Sequence, residues 1–344
     1  MTGIDYRNSG VNIDEGLRAV DLMKREVKKT FNESVLSELG HFGGLFRADF
    51  SGMAEPVLVA SMDGVGTKLK VASLMEDYST VGRDLVNHCV NDILVQGAHP
   101  LFFLDYIACG KLDAVVAAEI VTGLAKACSD NGCALLGGET AEMPGFYNTG
   151  DYDVAGTIVG SVDKNRIIDG SAVVPGHSII GLASSGLHTN GFSLARAVLF
   201  EKAGLTVSDH HSLLGEDTVG EALLKVHRSY LNQMKLLLDQ ELVTGMAHIT
   251  GGGVPGNLIR ILPEGCGAMI TPCWDVPPIF KLIKELGSIP EREMRRAFNL
   301  GAGFLIVTSQ PEKVTDLLRQ AGEEPFEAGE IISGNSIEYH GEGA

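Results

Sequence analysis

Pro56-Val57-Leu58-Val59-Ala60-Ser61-Met62-Asp63-Gly64-Val65-Gly66-Thr67-Lys68 decides how the rest of the chain is read. Its apolar first half predicts a strand, and that strand runs straight into Asp63-Gly64-Val65-Gly66-Thr67-Lys68. The loop therefore sits at a strand's carboxyl end, the usual place for ligands in α/β sheets. It combines a carboxylate, two glycines that let backbone N–H groups converge, a hydroxyl and a lysine, the parts of a phosphate and Mg²⁺ cradle. No G-x-x-x-x-G-K-[ST] occurs, and the third glycine of a dinucleotide fingerprint is missing. Taken alone, the hexapeptide also suits a turn with surface charges.

Upstream, Ile13, Leu17, Val20, Met23 or Lys24, Val27 and Phe31 recur at helical spacing and predict an amphipathic helix over 13–31. A glycine loop, residues 40–44, follows. Downstream, the pattern predicts a helix over 80–96 stopped by Gly97, a strand over 101–108 and a helix over 113–131 stopped by Gly132. Cys133 to Leu136 then enters Gly137-Gly138-Glu139-Thr140. Past the apolar stretch 154–162 and a polar connection, Asp169-Gly170 and Pro175-Gly176 mark a domain boundary near 169. The second half alternates again: strand 178–183, helices 191–203 and 219–239, strands 247–250 and 267–271, helix 277–286, strand 303–308 and helix 311–321. Both halves read as α/β or α+β, with no short repeat and no heptad run.

The 344 residues suffice for about two domains. Lys and Arg number 27 against 44 Asp and Glu, a net charge of −17, which argues against nucleic acid as a partner. No apolar run approaches the ~20 residues that span a bilayer, and the polar start MTGIDYRNSG lacks a signal-peptide pattern, so the expectation is a soluble cytoplasmic protein without a membrane partner. The six cysteines form no C-x-x-C pair and read as buried thiols. Glycine is the outlier at 43 of 344 residues, against a usual ~7%, and it clusters between apolar segments as ligand loops do.

On the helix 80–96, Asp84, His88 and Asp92 fall at i, i+4 and i+8 with Asn87 and Asn91 beside them. A solvated face usually carries Lys and Glu, so this Asp, Asn and His stripe points to function for Asn91 and Asp92. Glu139, projecting near a strand's carboxyl edge, is a third acid for metal or substrate, whereas Glu142 just before Pro144-Gly145 suits a solvated turn. Asp105 lies inside a strand, where a carboxylate either faces a polar site or makes local hydrogen bonds. In the second half, Ser184-Ser185-Gly186-Leu187-His188-Thr189-Asn190-Gly191 joins a strand to a helix and supplies donors where a helix start favours an anion. His248-Ile249-Thr250-Gly251-Gly252-Gly253 does the same at a second strand end, and His248 there either donates to a phosphate, moves a proton or simply bonds backbone. His210 and His211, in a polar segment without glycines, read as surface residues. No H-E-x-x-H, Cys/His cluster or G-x-S-x-G suggests zinc or a serine hydrolase. The parts imply an enzyme that holds a phosphorylated ligand, a nucleoside triphosphate with Mg²⁺, and leave its acceptor open.

Together, DGVGTK (63–68), CVND (89–92), PLFFLDY (100–106), GGETAEMPG (137–145), DYDVAGT (151–157), SSGLHTNG (184–191) and HITGGG (248–253) resemble, in order and spacing, the phosphoribosylformylglycinamidine cyclo-ligases, also called aminoimidazole ribonucleotide synthetases. The resemblance runs from Tyr6 through the final strands. It implies a two-domain α/β (α+β) fold. Residues 1–168 would bind ATP and dimerise, the sheets of a homodimer joining in a barrel, and residues 169–344 would form an α/β domain completing the substrate site. The implied reaction closes the imidazole ring of formylglycinamidine ribonucleotide with ATP and Mg²⁺. By the same resemblance Asp63, Asp92 and Glu139 hold the metal, while Lys24, Gly64, Gly66, Thr67, Lys68 and Asn91 meet the nucleotide. Gly186, His188, Asn190, Gly251 and Gly252 bind substrate, and Asp63, Lys68, Asp92, His188 and His248 form the catalytic set. Lys24 on its own would read as a solvated lysine. Ala297 and Phe304 depart from the Thr and Met common in the family and touch packing near the 297–304 loop rather than the reaction. Rival readings are a sister ATP enzyme, such as selenophosphate synthetase, thiamine monophosphate kinase or a hydrogenase maturation factor, and a catalytically silent nucleotide binder. The first Cys is Cys89, not the early residue of selenophosphate synthetases.

Overall fold

The computed structural model describes residues 10–340; most of the polar opening stretch, Tyr6 included, lies outside them. The described residues divide into one unit of 10–93 and 99–164 and a second of 94–98 and 165–340.

The first unit runs α1 (Ile13–Lys28), β1 (Pro56–Gly64), α2 (Lys68–Met75), α3 (Val81–Leu94), β2 (His99–Cys109), α4 (Ala114–Asn131), β3 (Ala134–Glu142) and β4 (Tyr152–Asp163). Its strands form one sheet in the order β1-β4-β2-β3, with only the β2–β3 pair parallel. Helix ends follow local chemistry. The Asp113 side chain accepts from the N–H groups of Val115 and Val116 to start α4, and Gly132 at φ +71° closes it. The helix α1 stops short of Phe31; of the expected stripe it buries Met23 and Val27, together with Ala19, and leaves Ile13, Leu17 and Val20 exposed. The glycine loop 40–44 follows no strand; only a bridge between Val35 and Phe46 flanks it. Gly137 to Thr140 lie within β3 rather than beyond it, because pairing with β2 continues to Glu142.

Alternation divides the sheet's faces. Val154, Ile158 and Val162 of β4 and Phe103 and Ile107 of β2 are buried on one face. On the other, Leu58, Met62 and Leu104 are exposed.

The second unit runs β5 (Ser178–Ala183), α5 (Phe192–Arg196), α6 (Val219–Leu224), α7 (Leu231–Asp239), β6 (Gly245–His248), α8 (Gly253–Leu258), β7 (Cys266–Ile270), α9 (Pro278–Gly287), α10 (Glu291–Ala297), β8 (Ala302–Thr308), α11 (Pro311–Gln320), β9 (Phe326–Ser333) and β10 (Ile337–Tyr339). The sheet order is β10-β7-β9-β5-β8-β6, antiparallel except for β10 with β7. Every residue of β8 is buried, and Val173, Ile179, Ala247, Leu258, Leu305 and Ile331 share one core. The expected helix 219–239 is two helices, broken across Lys225 to Tyr230. Five cysteines are buried and free; Cys273 is exposed, against expectation.

Candidate active site

In the first unit, β1 delivers Asp63 and α3 delivers His88 and Asp92 to one cluster. His88 Nε2 lies 2.7 Å from Asp63 Oδ2 and 3.7 Å from Asp92 Oδ2. Ser61 Oγ donates to Asp92 Oδ2 at 3.0 Å, and the Gly64 N–H donates to Asp63 Oδ1 at 2.7 Å. Burial disfavours charge on His88, but the hydrogen bond to Asp63 and the charges of Asp92, Asp63 and Asp84 outweigh it and raise its pKa. Burial works likewise against the Asp63 carboxylate; the His88 bond and charge and the Gly64 amide overcome it, and its pKa is lowered. The Asp63 and Asp92 side chains keep 41% and 27% of their surface exposed, so an incoming ligand can reach them. One ligand atom each from Asp63, His88 and Asp92 lies within 4.8 Å of the others. Two reachable carboxylates are the hard oxygen donors that Mg²⁺ takes alongside phosphate and water, so this donor set fits that ion.

The loop after Asp63 is open at its tip. Gly66 takes φ +69° and, like Thr67, is exposed, while the Val65 N–H is tied to the Val154 carbonyl at 2.9 Å. Lys68 departs from its expected role. Its side chain is 0% exposed and its Nζ sits 2.8 Å from the equally buried Asp84 Oδ2, so the ammonium is committed inside the unit rather than offered to phosphates. Burial lowers the Lys68 pKa, and Asp84 opposes that fall. Asn91 is also fully buried, on the stripe where Asn87 Oδ1 accepts from Asn131 Nδ2 at 2.8 Å. Asn87 and Asn91 are therefore interior polar structure, and Asn91 offers no surface to a nucleotide.

Glu139 is likewise not brought to the Asp63–Asp92 pair. It pairs with Tyr106 on β3, the sheet edge opposite β1. Tyr106 opposes Ala155, which opposes Gly64, so Glu139 lies on the face to which Gly64 belongs, opposite that of Asp63. Within the chain it is no third ligand. Lys24 is exposed on α1, which rests on α4 and the β3 end of the sheet rather than beside β1. Glu142 is not solvated as expected but accepts the backbone N–H groups of Asn12 at 2.7 Å and Leu112 at 2.9 Å. Asp105 sits beside Gly138, whose missing Cβ leaves room for its carboxyl, and burial pushes its pKa up to about 7.

The second unit brings its two glycine loops together. A Cβ on Gly251 would lie 3.3 Å from Asn190 Oδ1, so SSGLHTNG and HITGGG meet there. Asn257, buried on α8, holds the latter loop by donating Nδ2 to the carbonyls of Gly253 at 2.8 Å and of Thr250 and Gly251 at 3.3 Å. Asn299 holds the former: its Nδ2 donates to the Gly186 carbonyl and its Oδ1 accepts from Ser184 Oγ, both at 2.9 Å. Gly191, at φ +79°, could not carry a side chain, because its Cβ would fall 2.3 Å from the Phe298 ring. Gly252, at φ +100°, is partly exposed and Gly251 exposed. His188, 1% exposed and at φ +61°, turns its Nε2 back to accept the Ser185 N–H at 3.2 Å.

His248 ends β6, and its Nε2 lies 2.9 Å from Nε2 of His227. His227 escaped the sequence reading because the segment holding it continues a helical pattern without Gly or Pro. The break between α6 and α7 that turns it inward is set by distant partners. Arg228 reaches the Ala183 carbonyl at 3.1 Å and Glu323 at 2.7 and 2.8 Å, and the Tyr230 hydroxyl donates to Ala183 at 2.9 Å. Phe304, one of the two family departures, stacks on Tyr230 with ring centroids 5.0 Å apart. His210 is exposed and His211 accepts from the Leu213 N–H in a surface turn.

Residues 50–162 match the N-terminal domain, and residues 174–341 the C-terminal domain, of the AIR synthase related proteins. A phosphoribosylformylglycinamidine cyclo-ligase of Alkaliphilus metalliredigens (strain QYMF) is 51% identical over 338 residues, covering 97% of both chains. One of Citrifermentans bemidjiense is 50% identical over 333 residues, covering 96% of this chain and 95% of the relative. Among solved structures, thiamine-monophosphate kinase from Stenotrophomonas maltophilia K279a shares the fold with a TM-score of 0.66 at 15% identity, over 95% of this chain and 97% of that one. The hydrogenase maturation protein HypE in complex with ATP does so at 0.63 and 18%, over 94% and 88%. Those two likenesses speak for fold alone, whereas half-identity across nearly the whole length separates the sister families. The chain belongs to the phosphoribosylformylglycinamidine cyclo-ligase family of AIR synthase related proteins.

Proposed function

We propose that the chain closes the imidazole ring of purines: it converts formylglycinamidine ribonucleotide and ATP to 5-aminoimidazole ribonucleotide, ADP and phosphate. The observation that carries this reading is the reachable Asp63–Asp92 pair beside an exposed glycine loop, in a chain half-identical to proteins named for the reaction. A formamide oxygen is a poor leaving group. It receives the γ-phosphoryl of ATP, the amidine nitrogen bonds to the formyl carbon, and the C–O bond then breaks with phosphate as the leaving group. Such transfer asks for positioning and charge more than covalent catalysis.

Asp63 and Asp92 would hold Mg²⁺, which when bound neutralises phosphate oxygens. His88, hydrogen-bonded to Asp63, keeps that carboxylate ionised and aimed. Gly66 and Thr67 would offer backbone amides and a hydroxyl to the nucleotide, Gly64 spends its own amide on Asp63, and Lys68 serves the loop from within by anchoring the start of α2 to Asp84. In the second unit, Asn190, Gly251 and Gly252 would present the loop groups that bind the acceptor, while Gly186, expected there too, is buried with its carbonyl held by Asn299 and Ser184 and shapes the loop instead. His188 braces its loop, and His248 would serve the acceptor as a hydrogen-bond donor. The exposed apolar face of the first sheet, Leu58, Met62 and Leu104, supports a homodimer in which that face is covered by a second copy.

The test is phosphate release from Mg·ATP with and without formylglycinamidine ribonucleotide, alongside formation of the aminoimidazole. Acceptor-dependent release matched one to one by product is expected. Folded protein that binds ATP without acceptor-dependent turnover would instead support a silent nucleotide binder.

A further inference from the structure

The loop after β6 carries three consecutive glycines, and their backbone amides are not equivalent. The Gly252 N–H donates to the Arg296 carbonyl and the Gly253 N–H to the Thr250 carbonyl, both at 3.1 Å. The Gly251 N–H meets no acceptor among the described residues, and Gly251 is exposed. Gly251 is also where the two glycine loops of this unit meet, since a Cβ built on it would lie 3.3 Å from Asn190 Oδ1.

The other end of the same peptide group decides where that amide faces. Asn257, 4% exposed on α8, meets the carbonyls of Gly253 at 2.8 Å and of Thr250 and Gly251 at 3.3 Å. Carbonyl oxygens only accept, so the end of the Asn257 amide that faces three of them is its nitrogen. Its Oδ1, on the other side, accepts from Thr250 Oγ1 at 3.1 Å. The peptide bonds here are trans, and in a trans peptide the C=O and the following N–H point in opposite directions. Drawing the Thr250 carbonyl in toward Asn257 therefore turns the Gly251 N–H outward. The Gly251 carbonyl is drawn in likewise, and the Gly252 N–H that it turns outward is the one spent on Arg296.

A backbone amide fixed by a buried side chain needs no reorganisation when a ligand arrives, and its strongest partner is a charged oxygen. The acceptor proposed above brings one permanent anion, its phosphate monoester. We infer that Asn257 is a positioning residue that holds the Gly251 amide outward as a preformed donor for that phosphate. This deepens, and rests on, the reading of the Gly251 loop as acceptor-binding. The phosphate takes no part in ring closure, so the contact serves KM for the acceptor rather than the chemical step.

The test uses the full-length protein labelled with ¹⁵N-glycine, the Gly251 amide signal being assigned by its loss in Gly251→Ala. Ribose 5-phosphate should shift that signal in the wild type, and ribose, which lacks the phosphate, should leave it in place. Asn257→Asp keeps the side chain's shape but sets a carboxylate oxygen against the three carbonyls. It should raise KM for formylglycinamidine ribonucleotide about 10- to 50-fold, keep kcat and KM for ATP within about threefold, and abolish the shift with ribose 5-phosphate. A wild-type Gly251 amide that ignores ribose 5-phosphate overturns the inference even if the variant does not fold. So does an Asn257→Asp enzyme whose two KM values rise together, as a general loosening would make them, or whose kcat falls at unchanged acceptor KM. Wild-type protein that answers ribose 5-phosphate at Gly251 but never turns over formylglycinamidine ribonucleotide would end the reading beneath while leaving the phosphate contact standing.

Discussion

Three acids of the first unit, Asp92, Asp84 and Asp105, show how differently one sheet-and-helix layer can treat the same side chain. Asp84 is sealed with Lys68 at 2.8 Å and both are 0% exposed. Asp92, two helical turns along the same α3, keeps 27% of its side-chain surface and shares His88 with Asp63. Asp105, on β2, is held by burial near a pKa of about 7. The difference teaches that an acidic residue on a polar stripe is not by itself a site. A carboxylate enclosed in the fold is either matched by a buried partner, as Asp84 is by Lys68, or held toward its neutral form, as Asp105 is. Only one that is still ionised and reachable can serve a metal ion.

The largest expected effect breaks that comparison at its open end. Asp63→Asn and Asp92→Asn should each lower turnover by about two to four orders of magnitude, with thermal unfolding close to wild type, because a charge directed at a metal is lost rather than packing. Near-normal activity in both, measured as product formed, would end the metal assignment. At the sealed end the signs reverse. Lys68→Met should cost about 3–5 kcal/mol of stability by stranding the Asp84 charge, and Lys68→Met combined with Asp84→Leu should recover most of it. Urea unfolding of the single and double variants reads this directly, and a double variant as unstable as the single one would mean the pair is more than a charge match.

Asp105 sharpens the middle case. Its folded pKa lies above the unfolded value, so the native state binds the extra proton between about pH 4 and 7, and stability falls as pH rises through that window. At about 1.4 kcal/mol per unit, the full penalty above pH 7 reaches about 4 kcal/mol. Asp105→Asn should therefore gain stability over wild type at pH 8 and none near pH 4. Equal unfolding curves at pH 8 would show that the carboxyl ionises without cost. The smallest change in protomer stability, within about 0.5 kcal/mol, is expected for Met62→Glu on the exposed sheet face. Sedimentation should nonetheless show it shifting a dimer toward monomer, and an unchanged dimer would place the interface elsewhere.

Much of the architecture was legible because its causes are local. A Pro-to-Met apolar run ending in Asp63-Gly64 makes a strand and a turn, Asp113 and Gly132 bracket α4, and glycines at positive φ stand where the loops bend. The helix expected over 219–239 failed for the opposite reason: Lys225 to Tyr230 carry no breaker, and their course is set by Ala183 and Glu323, remote in the chain. His227 stayed hidden with it. Glu139 was misjudged because a motif shows that a residue lies near a strand's end but not which edge or face of the sheet that strand will occupy.

By itself, then, the sequence determined the family, the order of strands and helices and the glycine loops that approach ligands, since residue type and spacing act on the backbone within a few positions. The tertiary structure alone decided that Lys68 and Asn91 are interior, that Glu139 stands apart from Asp63, and that His227 meets His248. Burial, charge pairing and proton sharing depend on groups tens to hundreds of residues away, and only the packed chain brings those together.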